Sequence, residues 1–271
     1  MPNRVFVIAE AGSCHDGSLE KALRLIRTAK VADADAVKFQ FWSSAERLAE
    51  RRHAGDYLEV YRRYQLPPDW LKPLRQHCDE VGIEFMCTTY LPEDVATIAP
   101  FVERFKIASF EAADLEFVRR HQKYPKPIYV SSGMLGLTEL QGLVKWCGLA
   151  LTRDVILHCV SAYPCPSQDL HLRTIAETAY GTHGVMFGGL SDHTHSLLAG
   201  AVAVGAGAEV IEKHFQLDDT DPKNPDAAVA LGRRALRQYI ANIREAEVLM
   251  GDPLTRPLTI EEPMRRYQVR A

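Results

Sequence analysis

AVKFQF, residues 36–41, is an apolar run with a lysine at its centre. Apolar side chains on both alternating faces mark a strand buried on both sides, the habit of parallel sheets. Residues two apart share a face, so Lys38 and Gln40 point the same way. A lysine is almost never fully buried without a partner. Lys38 therefore needs an ion pair or a ligand inside the protein. Seven more runs of the same kind flank it: VFVIA (5–9), EFMCT (84–88), RFKIA (104–108), PIYVS (127–131), VILHCV (155–160), VMFGG (185–189) and EVIEKHF (209–215). Helix-period segments lie between several of them. Leu19, Leu23, Ile26 and Lys30 mark one; Leu236, Ile240, Ile243 and Leu249 mark the last, with Gly251 as its C-terminal cap. Eight strands with helical crossovers predict an α/β fold, a single-domain (β/α)8 TIM barrel. An open doubly wound sheet is the rival. It would carry a GxGxxG loop after the first strand, and AEAGSCHDG (9–17) has none.

The barrel is expected over residues 1–252, with 253–271 as a C-terminal linker or arm. The insert between Ala45 and Leu71 is long for a strand-to-helix connection and predicts one helix and a turn at Pro67–Pro68. A net charge of −3 gives no footprint for nucleic acid. The longest small apolar run, 197–208, is too short to cross a bilayer about 30 Å thick, so no membrane partner is expected. Six cysteines without a CxxC pair, and a start that does not read as a signal peptide, predict reduced thiols and a cytoplasmic protein.

Barrel chemistry sits where strands end. The predicted ends present Glu10; Lys38 and Gln40; Thr88; Lys106, Ser109 and Glu111; Ser131 and Ser132; His158 and Ser161; Ser191, Asp192 and His193; and Glu212 with His214. Taken singly, each charged residue also serves as a structural ion-pair partner. Together, two lysines among hydroxyls suit a compact, multiply charged anion such as a phosphate ester bearing a carboxylate. Two histidines near carboxylates suit a divalent first-row metal.

Seven ordered motifs carry a family resemblance: IAEAG (8–12) with His15 and Gly17, AVKFQ (36–40), FKIAS (105–109) with Glu111, SSGM (131–134), LHCVSAYP (157–164), GLSDHT (189–194) and IEKHF (211–215). Across residues 4–250 the chain resembles the catalytic barrel of the N-acetylneuraminate (sialic acid) synthase family. The resemblance implies condensation of phosphoenolpyruvate with a sugar aldehyde, N-acylmannosamine or a variant acceptor, to a 2-keto-3-deoxy acid. It implies a divalent metal, Mn2+ or Mg2+, held by His193 and His214. His195 is then a helix-start or surface residue. Phosphoenolpyruvate would fall to Lys38, Thr88, Lys106, Ser109, Ser131, Ser161 and Ser191. Glu111 would activate the attacking water, Glu10 and Glu212 would orient the aldehyde, and Gln40, Tyr163 and Asp226 would face sugar hydroxyls. Asp192 is a candidate brace for His193, and Cys14 and Cys159 are expected to be buried thiols.

The acceptor half departs from the family pattern. CHDG (14–17) stands where NHNG is usual, Ser161 replaces a frequent Asn, and NPDAAVAL (224–231) keeps Asp226 but has Ala227 and Ala230 at polar positions. The chain ends where the family's C-terminal antifreeze-like domain would begin, so the resemblance covers the catalytic barrel only; either the natural protein lacks that domain or this sequence stops short of it. Family members are typically homodimers; without that domain the assembly stays open. Three rivals share the barrel: a Schiff-base aldolase using Lys106 or Lys38, a non-catalytic phosphoenolpyruvate-binding homologue, and a synthase acting on phosphorylated sugars. The pairs Arg51–Arg52 and Arg62–Arg63 hint at the last, although such pairs also occur on solvated helix faces.

Overall fold

The computed structural model describes residues 4–178, 184–252 and 258–269. Eight parallel strands run in sequence order: β1 (Phe6–Gly12), β2 (Ala36–Phe41), β3 (Glu84–Thr89), β4 (Phe105–Ile107), β5 (Ile128–Ser131), β6 (Val155–Cys159), β7 (Phe187–Asp192) and β8 (Val210–Gln216). Pairing of β1 with β8, Phe6 opposite Val210 through Glu10 opposite His214, closes the sheet into a (β/α)8 barrel. The single-domain TIM barrel read from the sequence is the observed fold.

Each strand's parity explains why the sheet closes around a core and ends in a site. One face of each strand packs outward on the helices, as Val7, Val37, Phe39, Phe85, Ile107, Val130, Ile156 and Ile211 do. The other face turns into the lumen. There Ile8, Ala36, Met86, Tyr129, Leu157 and Val210 form an apolar plug. Two residues further along the same strands stand Glu10, Lys38, Thr88, Ser131, Cys159 and Glu212, all buried. The lumen thus changes from apolar to polar between one layer and the next. Below the plug, Arg104 pairs with Glu84 at 2.7 Å and lies 4.3 Å from the Phe6 ring centre, closing the floor.

The helices are α1 (Leu19–Val31), α2 (Ala45–Arg51), α3 (Leu58–Tyr64), α4 (Leu71–Val81), α5 (Asp94–Ile98), α6 (Leu115–His121), α7 (Leu137–Lys145), α8 (Arg173–Thr178), α9 (Ala199–Gly205) and α10 (Arg233–Met250). Ser18 caps α1 by accepting from Lys21 N, and Gly82 ends α4 with φ of 73°, the left-handed turn a glycine takes freely. The insert after β2 holds two short helices before α4 where the sequence predicted one. The break comes at His53, whose φ is 51°, followed by Ala54 and Gly55. Trp42, Ala45, Leu48, Tyr64, Tyr90 and Leu91 bury the insert against the barrel rim in a cluster separate from the main core. Residues 253–257 of the expected arm lie outside the described residues; Thr259–Tyr267 forms a 3-10 helix with no buried residue. Among the described residues no helix is long and apolar enough to cross a membrane.

Candidate active site at the barrel mouth

A cavity of about 900 Å³ opens at the C-terminal ends of the strands. Glu10, Lys38, Gln40, Lys106, Ser109, Glu111, Ser131, Tyr163, Ser191, His193, Glu212, His214 and Asp226 line it. Thr88 and Ser161 sit just behind that lining: Lys38 Nζ donates to Thr88 Oγ1 at 2.8 Å, and Ser161 Oγ donates to Ser109 Oγ at 2.8 Å. The residues singled out by the sequence are brought together. His195 is exposed, outside the cavity.

At the closed end, acids and bases alternate. Lys38 Nζ lies 2.8 Å from Glu10 Oε2 and 3.2 Å from Glu212 Oε1, while Glu212 Oε2 lies 3.1 Å from Lys106 Nζ. Lys106 also donates to Ser131 Oγ at 2.7 Å, and Gln40 Nε2 to Glu10 Oε1 at 2.9 Å. Burial opposes the charges on Lys38, Glu212 and Glu10, and the partners win at the first two. Burial alone would strip the Lys38 proton, but Glu10 and Glu212 raise its pKa above the ordinary lysine value. Burial likewise pushes Glu212 up, and the Lys106 and Lys38 ammonium groups outweigh it, holding Glu212 below the usual carboxylate range. Glu10 faces a single ammonium group, and burial leaves its pKa raised. The oxygens Glu10 Oε2 and Glu212 Oε2 make ion-pair contacts but no aligned hydrogen bond, so both retain accepting capacity.

Across the cavity the His193 and His214 ring centres are 5.4 Å apart. Register explains the meeting: Ser191 lies opposite Glu212 on β7 and β8, which puts His193 and His214 two residues on, side by side at the rim. His193 Nδ1 meets the Val160 carbonyl at 3.1 Å, which assigns its proton to Nδ1 and leaves Nε2 bare. Burial, then the neighbouring His214, lowers the His193 pKa to about 3, so the ring is neutral. His214 Nδ1 is buried without a hydrogen bond, 3.8 Å from Asp226 Oδ1. Two such imidazoles supply part of a donor set for a divalent cation. Among the described residues no group of three or more His, Cys, Asp or Glu side chains is arranged to hold a metal. Further ligands would have to come from water or substrate.

Two strand-end residues face elsewhere, and a third is inert. Asp192, the candidate brace for His193, turns outward by strand alternation. It accepts from Tyr239 Oη at 2.8 Å and pairs with Lys213 at 3.1 Å, and Lys213 Nζ also donates to Thr194 O. His158 also faces outward and meets the Leu170 carbonyl at 2.7 Å. Cys159 faces the lumen, but burial raises its thiol pKa, as it does for Cys14, and both are protonated.

Asp226 is fixed from the loop after β1. Its Oδ2 accepts from Ser13 N at 2.7 Å and Ser13 Oγ at 2.6 Å. Gly12 stands there at φ of 52°, where a Cβ would come 2.3 Å from Asp226 Oδ2. Only glycine allows that approach.

The outer wall escaped the sequence reading. Trp42, Tyr57, Tyr61, Tyr64, Tyr90 and Phe110 line it with Arg51 and Arg52. The signal lay in Tyr57, Tyr61 and Tyr64, spaced for one helical face within an insert read only as a connection. Arg51 pairs with Asp114 at 2.6 Å and Arg52 with Glu111 at 2.6 Å. Neither belongs to a solvated helix face. Arg62 does: it is half-exposed and bound to Glu46 and Glu59.

The NeuB family pattern matches residues 25–254. The chain belongs to the NeuB family. This NeuB-family chain is 34% identical to the pseudaminic acid synthase of Campylobacter jejuni subsp. jejuni serotype O:23/36, over 92% of its own length and 76% of that protein. It is 31% identical to the N,N'-diacetyllegionaminic acid synthase of Legionella pneumophila, over 96% of its length and 77% of the relative. Among solved structures it resembles the N-acetylneuraminic acid synthetase of Leptospira borgpetersenii in complex with citrate, with a TM-score of 0.85, 26% identity, and coverage of 98% of this chain and 91% of that one. The sequence reading of a phosphoenolpyruvate-dependent, C–C bond-forming synthase holds at the level of this family.

Proposed function

We propose that this barrel joins phosphoenolpyruvate to a sugar aldehyde that carries no phosphate, releasing phosphate and a 2-keto-3-deoxy acid, with a divalent ion, Mn2+ or Mg2+, held by His193 and His214. The observation that carries the reading is the pair of buried ammonium groups, Lys38 and Lys106, set among hydroxyls at the closed end of a cavity whose outer wall is aromatic. In this reading residues 1–252 are the catalytic unit and 253–271 a linker or arm. Six free, buried cysteines accord with a reducing, cytoplasmic setting.

Lys38, Lys106, Thr88, Ser109, Ser131, Ser161 and Ser191 bind the phosphate and carboxylate of the donor. Pre-ordered donors of this kind cost little to reorganise when an anion arrives. Glu10 and Glu212 orient the aldehyde; Gln40, Tyr163 and Asp226 face the acceptor hydroxyls. A divalent ion held by His193 and His214 would supply Lewis-acid polarisation of the acceptor carbonyl. These groups hold C3 of phosphoenolpyruvate against the aldehyde carbon. As the new C–C bond forms, positive charge develops at C2 beside the Glu212 carboxylate. Glu111 takes a proton from the water that adds to C2, the former aldehyde oxygen takes up a proton to become a hydroxyl, and the C–O bond to phosphate then breaks as the new C2 hydroxyl gives up its proton, leaving the ketone and inorganic phosphate.

An aldolase that forms a Schiff base needs a neutral amine. Lys38 is held protonated by two carboxylates, and Lys106 is paired with Glu212, which disfavours that rival. Arg51 and Arg52, the hint of an acceptor phosphate site, are already engaged by Asp114 and Glu111. The test is phosphate release from phosphoenolpyruvate and Mn2+ with a panel of aldoses, phosphorylated and not. Release that requires the metal and an unphosphorylated aldose is expected. Activity that survives chelation and leaves a borohydride-trapped lysine would establish the aldolase. Binding of phosphoenolpyruvate without release from any aldehyde would leave a non-catalytic homologue.

A further inference from the structure

We propose that Arg52 is the positioning residue for Glu111: from the C-terminal cap of α2 it reaches across the cavity mouth, grips one carboxylate oxygen, and leaves the other for the reacting water. The inference rests on the reading of Glu111 as the group that activates that water.

The grip is one-sided. Arg52 Nε and Nη2 both donate to Glu111 Oε1, at 3.0 and 2.6 Å. Glu111 Oε2 is buried and has no hydrogen-bond partner, and Glu111 is one of the residues lining the cavity. A buried carboxylate oxygen without a donor is costly unless a ligand or water supplies one. The guanidinium is itself boxed in. It lies 4.5 Å from the Tyr90 ring centre and 5.1 Å from that of Phe110. The next residue back repeats the arrangement: Arg51 pairs with Asp114, whose other oxygen caps α6 by accepting from Phe117 N at 3.0 Å. Two successive arginines of the insert therefore hook two carboxylates of the loop after β4. Neither hook is needed to close the barrel, since β4 already pairs with β3 and β5.

The charges facing Glu111 come from three elements. Arg52 and Arg51 approach from α2, Lys106 from β4, and the Tyr90 phenol from the end of β3. Lys106 is engaged with Glu212, so Arg52 is the cation in direct contact. Burial raises the Glu111 pKa, and Arg52 is the largest influence opposing it. Without Arg52 the carboxyl would keep its proton to higher pH and would not act as a base.

The experiment is the pH profile of kcat/KM for phosphate release in the wild-type enzyme and in Arg52→Met, Arg52→Gln, Arg52→Lys and Glu111→Gln. Methionine keeps the apolar stem against Tyr90 and Phe110, and glutamine keeps a single donor, so one variant remains informative if the other does not fold. The acid limb is expected to move up by about 1–3 pH units in Arg52→Met and Arg52→Gln, the range by which an adjacent arginine depresses a carboxyl. Arg52→Lys should return the limb most of the way. Glu111→Gln should abolish the limb, and adding Arg52→Met to it should cost little more. A purely structural Arg52 would lower the rate at every pH and leave the limb in place; that outcome, beside a Glu111→Gln enzyme that has lost its limb, overturns the role of Arg52 alone. A Glu111→Gln enzyme that keeps its limb overturns the assignment of Glu111 and this inference with it.

Discussion

Lys106 Nζ stands 3.1 Å from Glu212 Oε2, and both side chains are almost wholly buried. Removing one member leaves the other as a buried charge with fewer partners, which typically costs about 3–5 kcal/mol. Lys106→Met is therefore expected to lower Tm and to weaken phosphoenolpyruvate binding about 10–100-fold, the weight of a hydrogen bond to a charged group. Thermal melting and calorimetric titration with phosphoenolpyruvate check the two effects separately.

The same pair makes stability depend on acid. Glu212 has its ordinary carboxyl pKa near 4.5 in the unfolded chain and a lower one when folded. Below pH 4.5 the unfolded chain takes up the proton first, so the contribution of Glu212 is complete above that pH and is lost as pH falls toward the folded value. Tm measured against pH should fall more steeply below 4.5 for the wild type than for Glu212→Gln. Parallel curves would refute the assignment of charge to Glu212.

His193→Ala and His214→Ala are expected to abolish phosphate release while preserving the circular dichroism of the barrel. Chelation should stop the wild-type enzyme and Mn2+ should restore it; neither variant should recover on adding metal. Titration of Mn2+ by calorimetry reads the loss of binding directly.

Gly12→Ala is predicted to strike the acceptor rather than the donor. The residue has φ of 52° and no room for a Cβ beside Asp226. The left-handed backbone alone costs about 1–3 kcal/mol for a residue with a side chain. Asp226 would be displaced from its seat on Ser13. KM for the aldose should rise with phosphoenolpyruvate affinity unchanged.

Asp192 gives a contrast within one cluster. Tyr239→Phe removes one hydrogen bond to a carboxylate and should cost about 1.5–3 kcal/mol. Asp192→Ala strands the Lys213 ammonium in the core and should cost about 3–5 kcal/mol. Urea unfolding of the two variants separates them.

Strands were legible because both faces are buried in their lower halves, giving unbroken apolar runs. Two upper ends were not: β1 runs on to Gly12 and β7 to Asp192, past the apolar stretches, where small and polar residues interrupt the run. Alternation placed Lys38 with Gln40 and Glu212 with His214 correctly. It also turns Asp192 and His158 away from the site, which a tally of strand-end residues overlooks. The aromatic wall was hidden for a different reason. Tyr57, Tyr61 and Tyr64 belong to an insert whose position over the mouth is set by packing with Trp42 and Tyr90, a tertiary relation that no local pattern announces.

The sealed floor has a kinetic corollary. Among the described residues Arg104, Phe6 and the plug shut the far end, so the mouth is the way in to the closed end of the cavity. On the proposed reading the enol phosphate, seated deepest, has to load before the sugar, and inorganic phosphate is trapped until the newly made acid has gone. Turnover would then be strictly ordered, with phosphate the last to depart.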